Sequence, residues 1–223
     1  METTFGLIKA EILRRAKMAG ACTEQYGRAY RSNVLPELCE VIKDNFCWCC
    51  STNVINADFI VQYREDFARN KIYANISVES GYLLCDNATV EACGNATVEA
   101  CDNATVEACG NATVEACDNA TVRAYGNATV EACGNATVEA CDNATVRACG
   151  NATVRAYGNA TVEACDNATV EACDNATVEA YGNAYCSSTC MIECRLSGNA
   201  LYRVRSTNAV YFASDSINFG KWK

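Results

Sequence analysis

The sequence predicts a mainly β fold, a β-solenoid (β-helix) of eight-residue repeats preceded by an α-helical cap. Three observations carry that reading. Residues 85–180 are twelve consecutive copies of the octad Cys/Tyr, Asp/Gly, Asn, Ala, Thr, Val, Glu/Arg, Ala, without an insertion or deletion. Within the copy 101–108, Ala104, Val106 and Ala108 alternate with Asn103, Thr105 and Glu107, the period of two of a half-buried strand. Each boundary carries Asp-Asn or Gly-Asn, as in Asp102-Asn103 and Gly110-Asn111, residue types that tolerate the left-handed backbone of a tight corner. A strand with only Ala-Val-Ala to bury does not fold alone, so the copies must stack and cover one another.

Two arguments favour two octads per coil, hence 16-residue coils with flat, opposed sheets. Ala-Val-Ala facing Ala-Val-Ala fills the roughly 10 Å between packed sheets. Residues 16 apart then become neighbours, so Glu107, Arg123, Glu139, Arg155 and Glu171 form a ladder of alternating sign. A coil of three octads would instead stack Glu91, Glu115, Glu139 and Glu163 like on like, which costs stability. Under the 16-residue reading Cys85, Cys101, Cys117, Cys133, Cys149 and Cys165 form one file, and Cys93, Cys109, Tyr125, Cys141, Tyr157 and Cys173 the other. Exchange of Cys for Tyr places this position at an outer edge, where there is room.

The chain divides into a head (1–80), the solenoid (81–184) and degenerate repeats with a C-terminal cap (185–223). In the head, Phe5, Leu7, Ile8, Ile12, Leu13 and Ala16 form a helical stripe over Thr3–Ala19, ended by Gly20. Thr23 is the expected N-cap of a second helix through Arg31. Pro36 suits the first turn of a third helix reaching about Cys50, with Leu38, Val41, Ile42, Phe46 and Cys49 buried. Asn56 is placed to cap a fourth through about Phe67. Lys71–Val78 alternates again and leads into the first octad, so the head is expected to dock on the open end of the solenoid, an edge that must be covered. After Ala180 the corners Gly182-Asn183 and Gly198-Asn199 keep the spacing, while Met191, Ile192, Leu196, Leu201 and Val204 enlarge the core positions. Atypical terminal repeats are expected of caps.

The net charge of −9 is unevenly spread: 1–84 hold ten basic and ten acidic side chains, 85–180 three and fifteen, 181–223 five and two. Phe5–Met18 is interrupted by Lys9, Glu11, Arg14, Arg15 and Lys17, so it fits neither a signal peptide nor a membrane span. The expectation is a cytoplasmic protein that does not act at a membrane. There the 18 cysteines would be reduced, and the Asn-Ala-Thr sequons would be repeat geometry, not glycosylation sites.

The octads, together with Arg15-Ala16-Lys17-Met18-Ala19-Gly20-Ala21-Cys22 and Asn45-Phe46-Cys47-Trp48-Cys49-Cys50, resemble a family of octapeptide-repeat proteins of bacteria and their phages or prophages. The resemblance spans essentially the whole chain. It implies a helical head on a β-helix and a mobile-element origin, with a virion-associated location as one consequence, and it brings no established activity.

The chain has no histidine, which removes the commonest general base and metal ligand. Its carboxylates lie on ladders, and it has no phosphate-binding Gly-rich loop. No enzyme and no cofactor are expected. Cysteine-only metal sites are weak candidates: the file Cys85, Cys101, Cys117, Cys133, Cys149 and Cys165, with thiols about 4.8 Å apart, and less so Cys39, Cys47, Cys49 and Cys50, which read as core. Cys186, Cys190 and Cys194 share one face if their segment is a strand. The Thr rows do not suit ice, because each Thr has a charged neighbour two positions on.

Two functions remain. One is a rigid, non-enzymatic scaffold that self-assembles or binds a host protein, with Arg203, Arg205, Tyr202, Tyr211 and Trp222 as candidate contacts, since aromatic and Arg residues dominate interface hot spots. The other is an acidic decoy for a nucleic-acid-binding or defence protein. Six coils span about 29 Å and carry about one net charge per 2.4 Å, against about one per 1.7 Å for duplex DNA. The same charge disfavours direct nucleic-acid binding.

Overall fold

The computed structural model describes residues 3–213 and 218–219. The head contains α1 (Thr4–Met18), α2 (Thr23–Arg31), α3 (Leu35–Lys43), α4 (Phe46–Ser51), α5 (Ala57–Gln62) and α6 (Arg64–Arg69). Ile8, Ile12 and Ala16 of the predicted stripe are buried, while Leu7 faces outward. Asn56 caps α5 by accepting the Phe59 N–H. Thr23 is not a cap: Cys22 occupies that position without a side-chain bond, and Thr23 opens the first turn of α2.

The single helix expected from Pro36 to Cys50 is two. Pro36 does lie in the first turn of α3, but the Asn45 amide donates to the Val41 carbonyl and competes with the backbone there. The helix expected through Phe67 likewise breaks at Tyr63, where Phe59 meets both Tyr63 and Phe67 edge-on.

β1 (Ile72–Ala74) and β2 (Val78–Asp86) lead into β3 (Thr89–Cys101), which runs through a corner and serves both sheets. Ten four-residue strands follow every eight residues, β4 (Thr105–Ala108) and β5 (Thr113–Ala116) through β13 (Thr177–Ala180). Thr89 pairs in parallel with Thr105, and Thr97 with Thr113. The result is a parallel β-solenoid of about eight turns, 16 residues apart. Alternate strands belong to alternate sheets, and Ala104, Val106, Ala108 and their equivalents form one dry core between them. Burying a Val side chain stabilises by about 1.5–3 kcal/mol, so the stack is held by many equal increments.

Corners turn at Asp or Gly with positive φ, for example Asp118 at 56° and Gly134 at 66°. At Gly134 an added Cβ would stand 3.0 Å from the Asp118 nitrogen one coil earlier, so Asp in this position is crowded. Its carboxylate compensates. At Asp142, Asp166 and Asp174, each one coil after a glycine, the carboxylate accepts the N–H of Gly126, Gly150 and Gly158 respectively, at 3.1 Å. The following Asn residues form amide ladders, such as Asn135 to Asn119 and Asn151 to Asn135.

The first coil departs from the octad phase. Cys85 lies opposite Ala100, and Asp86 opposite Cys101, a step of 15 rather than 16. Cys85 is therefore turned into the core, and the expected cysteine file starts at Cys101. This phase points Leu83 into the solenoid and Leu84 and Tyr82 toward the head. The head thus rests on the outer flank of the first coils, with Phe46 edge-on to Tyr82, rather than only across an open end.

At the far end, β14 (Tyr185–Ser188), β15 (Glu193–Leu196) and β16 (Leu201–Val204) continue the stack. The chain then reverses: β17 (Ala209–Phe212) and β18 (Asn218–Phe219) pair antiparallel with β16 and β15. This reversal ends the parallel edge.

Candidate functional site

Three places gather chemistry: the corners, the C-terminal end and the junction of head and rod. At one corner the 16-residue register brings the Cα atoms of Cys93 and Cys109 to 4.6 Å, inside disulfide range, and the two are joined. The expectation that every cysteine is reduced is corrected for this pair. At the other corner Cys117 and Cys133 stand with their sulfurs 3.4 Å apart as thiols. Burial raises the pKa of Cys101 to about 12, helped by the Glu99 charge, and burial with neighbouring thiols also raises Cys117 and Cys149. Such thiols stay protonated near neutrality and become ligands only where a metal ion displaces the proton. Cys186 and Cys194 are buried at Val positions of successive strands, whereas Cys190 is exposed on the turn between them, so the three do not share a face.

The expected charge ladder forms. Arg123 bridges Glu107 at 3.2 Å and Glu139 at 3.6 Å; Arg155 reaches Glu171 at 3.6 Å, and Arg205 also bonds Glu171. The opposite sheet is less balanced, stacking Glu99, Glu115 and Glu131 in one column before Arg147.

Of the predicted C-terminal contacts, Tyr202 is corrected. It occupies the inward file of Val170 and Cys186, is 1% exposed, stacks on Tyr211 and accepts the Ile192 N–H. It plugs the core. Tyr211 packs beside it, half-buried. Arg203 and Arg205 are exposed, and Trp222 lies outside the described residues. The outer face here joins the predicted Arg203 to residues that sequence reasoning passed over as contacts: Val210, opposite Arg203, and Leu201, opposite Phe212, with Phe212 64% exposed. Strand parity was the available signal, since Leu201 and Arg203 follow the outward Thr and Glu/Arg positions.

At the junction, Cys47 of α4 faces Glu99 of β3 and Glu115 of β5, with one donor atom of each within 4.8 Å of the others. Cys39, Cys49 and Cys50 are buried in the head core, as expected of core cysteines. Nothing in the local sequence marks Glu99, because every TVEA octad carries the same glutamate. A separate apolar cleft of about 430 Å³ in the head is lined by Ile12, Tyr26, Leu38, Ile42 and Trp48. Its polar rim is already paired, Asn45 donating to Gln25.

Among the described residues no helix is long and apolar enough to cross a membrane. Comparison with protein-family models, curated proteins and solved structures finds no match for this chain.

Proposed function

We propose that the protein is a non-enzymatic scaffold, an acidic rod whose C-terminal end docks on the acidic flank of a second copy. The observation that carries the reading is the patch of Leu201, Phe212, Val210 and Arg203 on one outer face, apolar and cationic on an otherwise acidic body. Arg203 donates to Asn208 and, among the described residues, has no carboxylate partner within 4 Å. It is thus the cation placed to meet an exposed glutamate of the rod such as Glu131. The antiparallel β17 argues for face contact rather than continuation of the sheet end to end. The resemblance to octapeptide-repeat proteins of bacteria and phages adds a mobile-element setting, with the cytoplasm or a virion as the place of action.

The test is the native mass of the full-length protein by light scattering, for wild type and for Phe212→Ser with Val210→Ser. A dimer or larger assembly that the double variant reduces to a 24.0 kDa monomer supports the reading. A wild-type monomer at all concentrations overturns it and favours the decoy. The decoy rests on the excess of glutamate over arginine on the rod, and it requires a basic host protein whose capture weakens steeply with salt.

A further inference from the structure

Glu99 is an outward-facing residue of the rod, and its equivalents in later coils, such as Glu131 and Glu163, are exposed. Yet Glu99 is only 2% exposed, because α4 lies over it, and its Oε2 has no hydrogen-bond partner among the described residues. A buried carboxylate oxygen without a partner costs stability and calls for an explanation. Its surroundings supply one. The Cys47 sulfur and a Glu115 oxygen lie within 4.8 Å of a Glu99 carboxylate oxygen and of each other, and the Cys101 thiol is 3.9 Å from Oε1.

We propose that Cys47, Glu99 and Glu115 form a divalent metal site that clamps the head onto the rod. One thiolate and two carboxylates make a mixed soft and hard donor set of charge −3, which suits a borderline ion such as Zn²⁺ better than Mg²⁺ or Ca²⁺, and better than Cu⁺. Zinc sits about 2.0–2.3 Å from such donors, so the three groups close by small side-chain rotations. Binding displaces the Cys47 thiol proton and the proton held by Glu99 to solvent, and no redox step is involved. The ion would join α4 to β3 and β5, giving the buried Glu99 oxygen a partner and removing the repulsion between Glu99 and Glu115. This inference stands apart from the scaffold reading, because the patch at the far end takes no part in it.

The experiment is titration of the full-length protein, kept reduced with a phosphine, using Co²⁺ as a spectroscopic probe, followed by metal analysis after dialysis against Zn²⁺. The expected result is one ion per chain, with a thiolate-to-cobalt absorption band. Cys47→Ser abolishes the band and lowers affinity at least a hundredfold. Glu99→Gln, which keeps shape and removes charge, lowers it about ten- to a hundredfold. Cys117→Ser with Cys133→Ser leaves it unchanged. Absence of equimolar binding by the wild type overturns the proposal, and so does binding that survives Cys47→Ser and Glu99→Gln or follows the Cys117 and Cys133 pair. Because Glu99→Gln removes a buried charge, it keeps the test valid should Cys47→Ser destabilise the head.

Discussion

The head and the rod bury their cores in opposite ways. In the head Ile8, Leu38, Ile42, Phe59 and Phe67 are large, distinct and each packed in a setting found once. In the rod the same Ala and Val positions recur from coil to coil, and each contacts mainly its neighbours one coil away. Loss in the head is therefore concentrated at single residues, while loss in the rod is shared along the axis, as expected when stability is a sum of repeat and nearest-neighbour terms.

The sharpest way to break that contrast is a charge in the rod core. Val138→Asp places an unpaired carboxylate between the sheets and should cost more than about 4 kcal/mol. Amide exchange should show protection lost in the coils beside Val138 and retained in the head. Next comes Phe67→Ala, expected to cost about 3–5 kcal/mol. It should unfold α5 and α6 while the distal coils keep their protection; simultaneous loss of both regions would show that the head is needed to nucleate the rod.

A smaller effect sharpens the contact between the two regions. In metal-free protein, burial and the nearby Glu115 charge raise the Glu99 pKa from 4.5 to about 7. The folded state thus holds a proton that the unfolded chain releases above 4.5, so this group's contribution is full below that value and is lost as pH rises toward 7. Glu99→Gln should flatten that slope and raise stability at pH 8 by roughly 3 kcal/mol at most, read by chemical denaturation in chelator. Least is expected of Arg123→Glu. Breaking its bridges to Glu107 and Glu139, both exposed, should cost roughly 0.5–2 kcal/mol in low salt and less in high salt.

Much of the rod was legible because one short period fixes strand, face and corner together. Val106 and Ala108 had nowhere to go but inward, and the alternation of Glu107, Arg123 and Glu139 pointed to the 16-residue coil that the register shows. Where the phase slips the same logic failed, as at Cys85, because the apolar Leu84 had to meet the head and drew the strand one residue out of step. Tyr202 failed for another reason: its aromatic ring suggested a contact, although its place in the Val170 and Cys186 file pointed inward. The junction was not legible at all. Glu99 and Glu107 sit in identical octads, and only the landing of α4, a long-range packing event, makes one buried and leaves the other exposed.

The two-octad coil also sets a rule of parity for how such a rod changes length. The head lies on the sheet of β5 and the Phe212 patch on the sheet of β16, so they face opposite sides. Gain or loss of octads in pairs would lengthen or shorten the rod by about 4.8 Å a coil and keep that opposition. A single added octad would carry the patch to the head's side, converting a rod with contacts on two sides into one with both on the same side. The repeat therefore works as a two-position selector of geometry as well as a ruler.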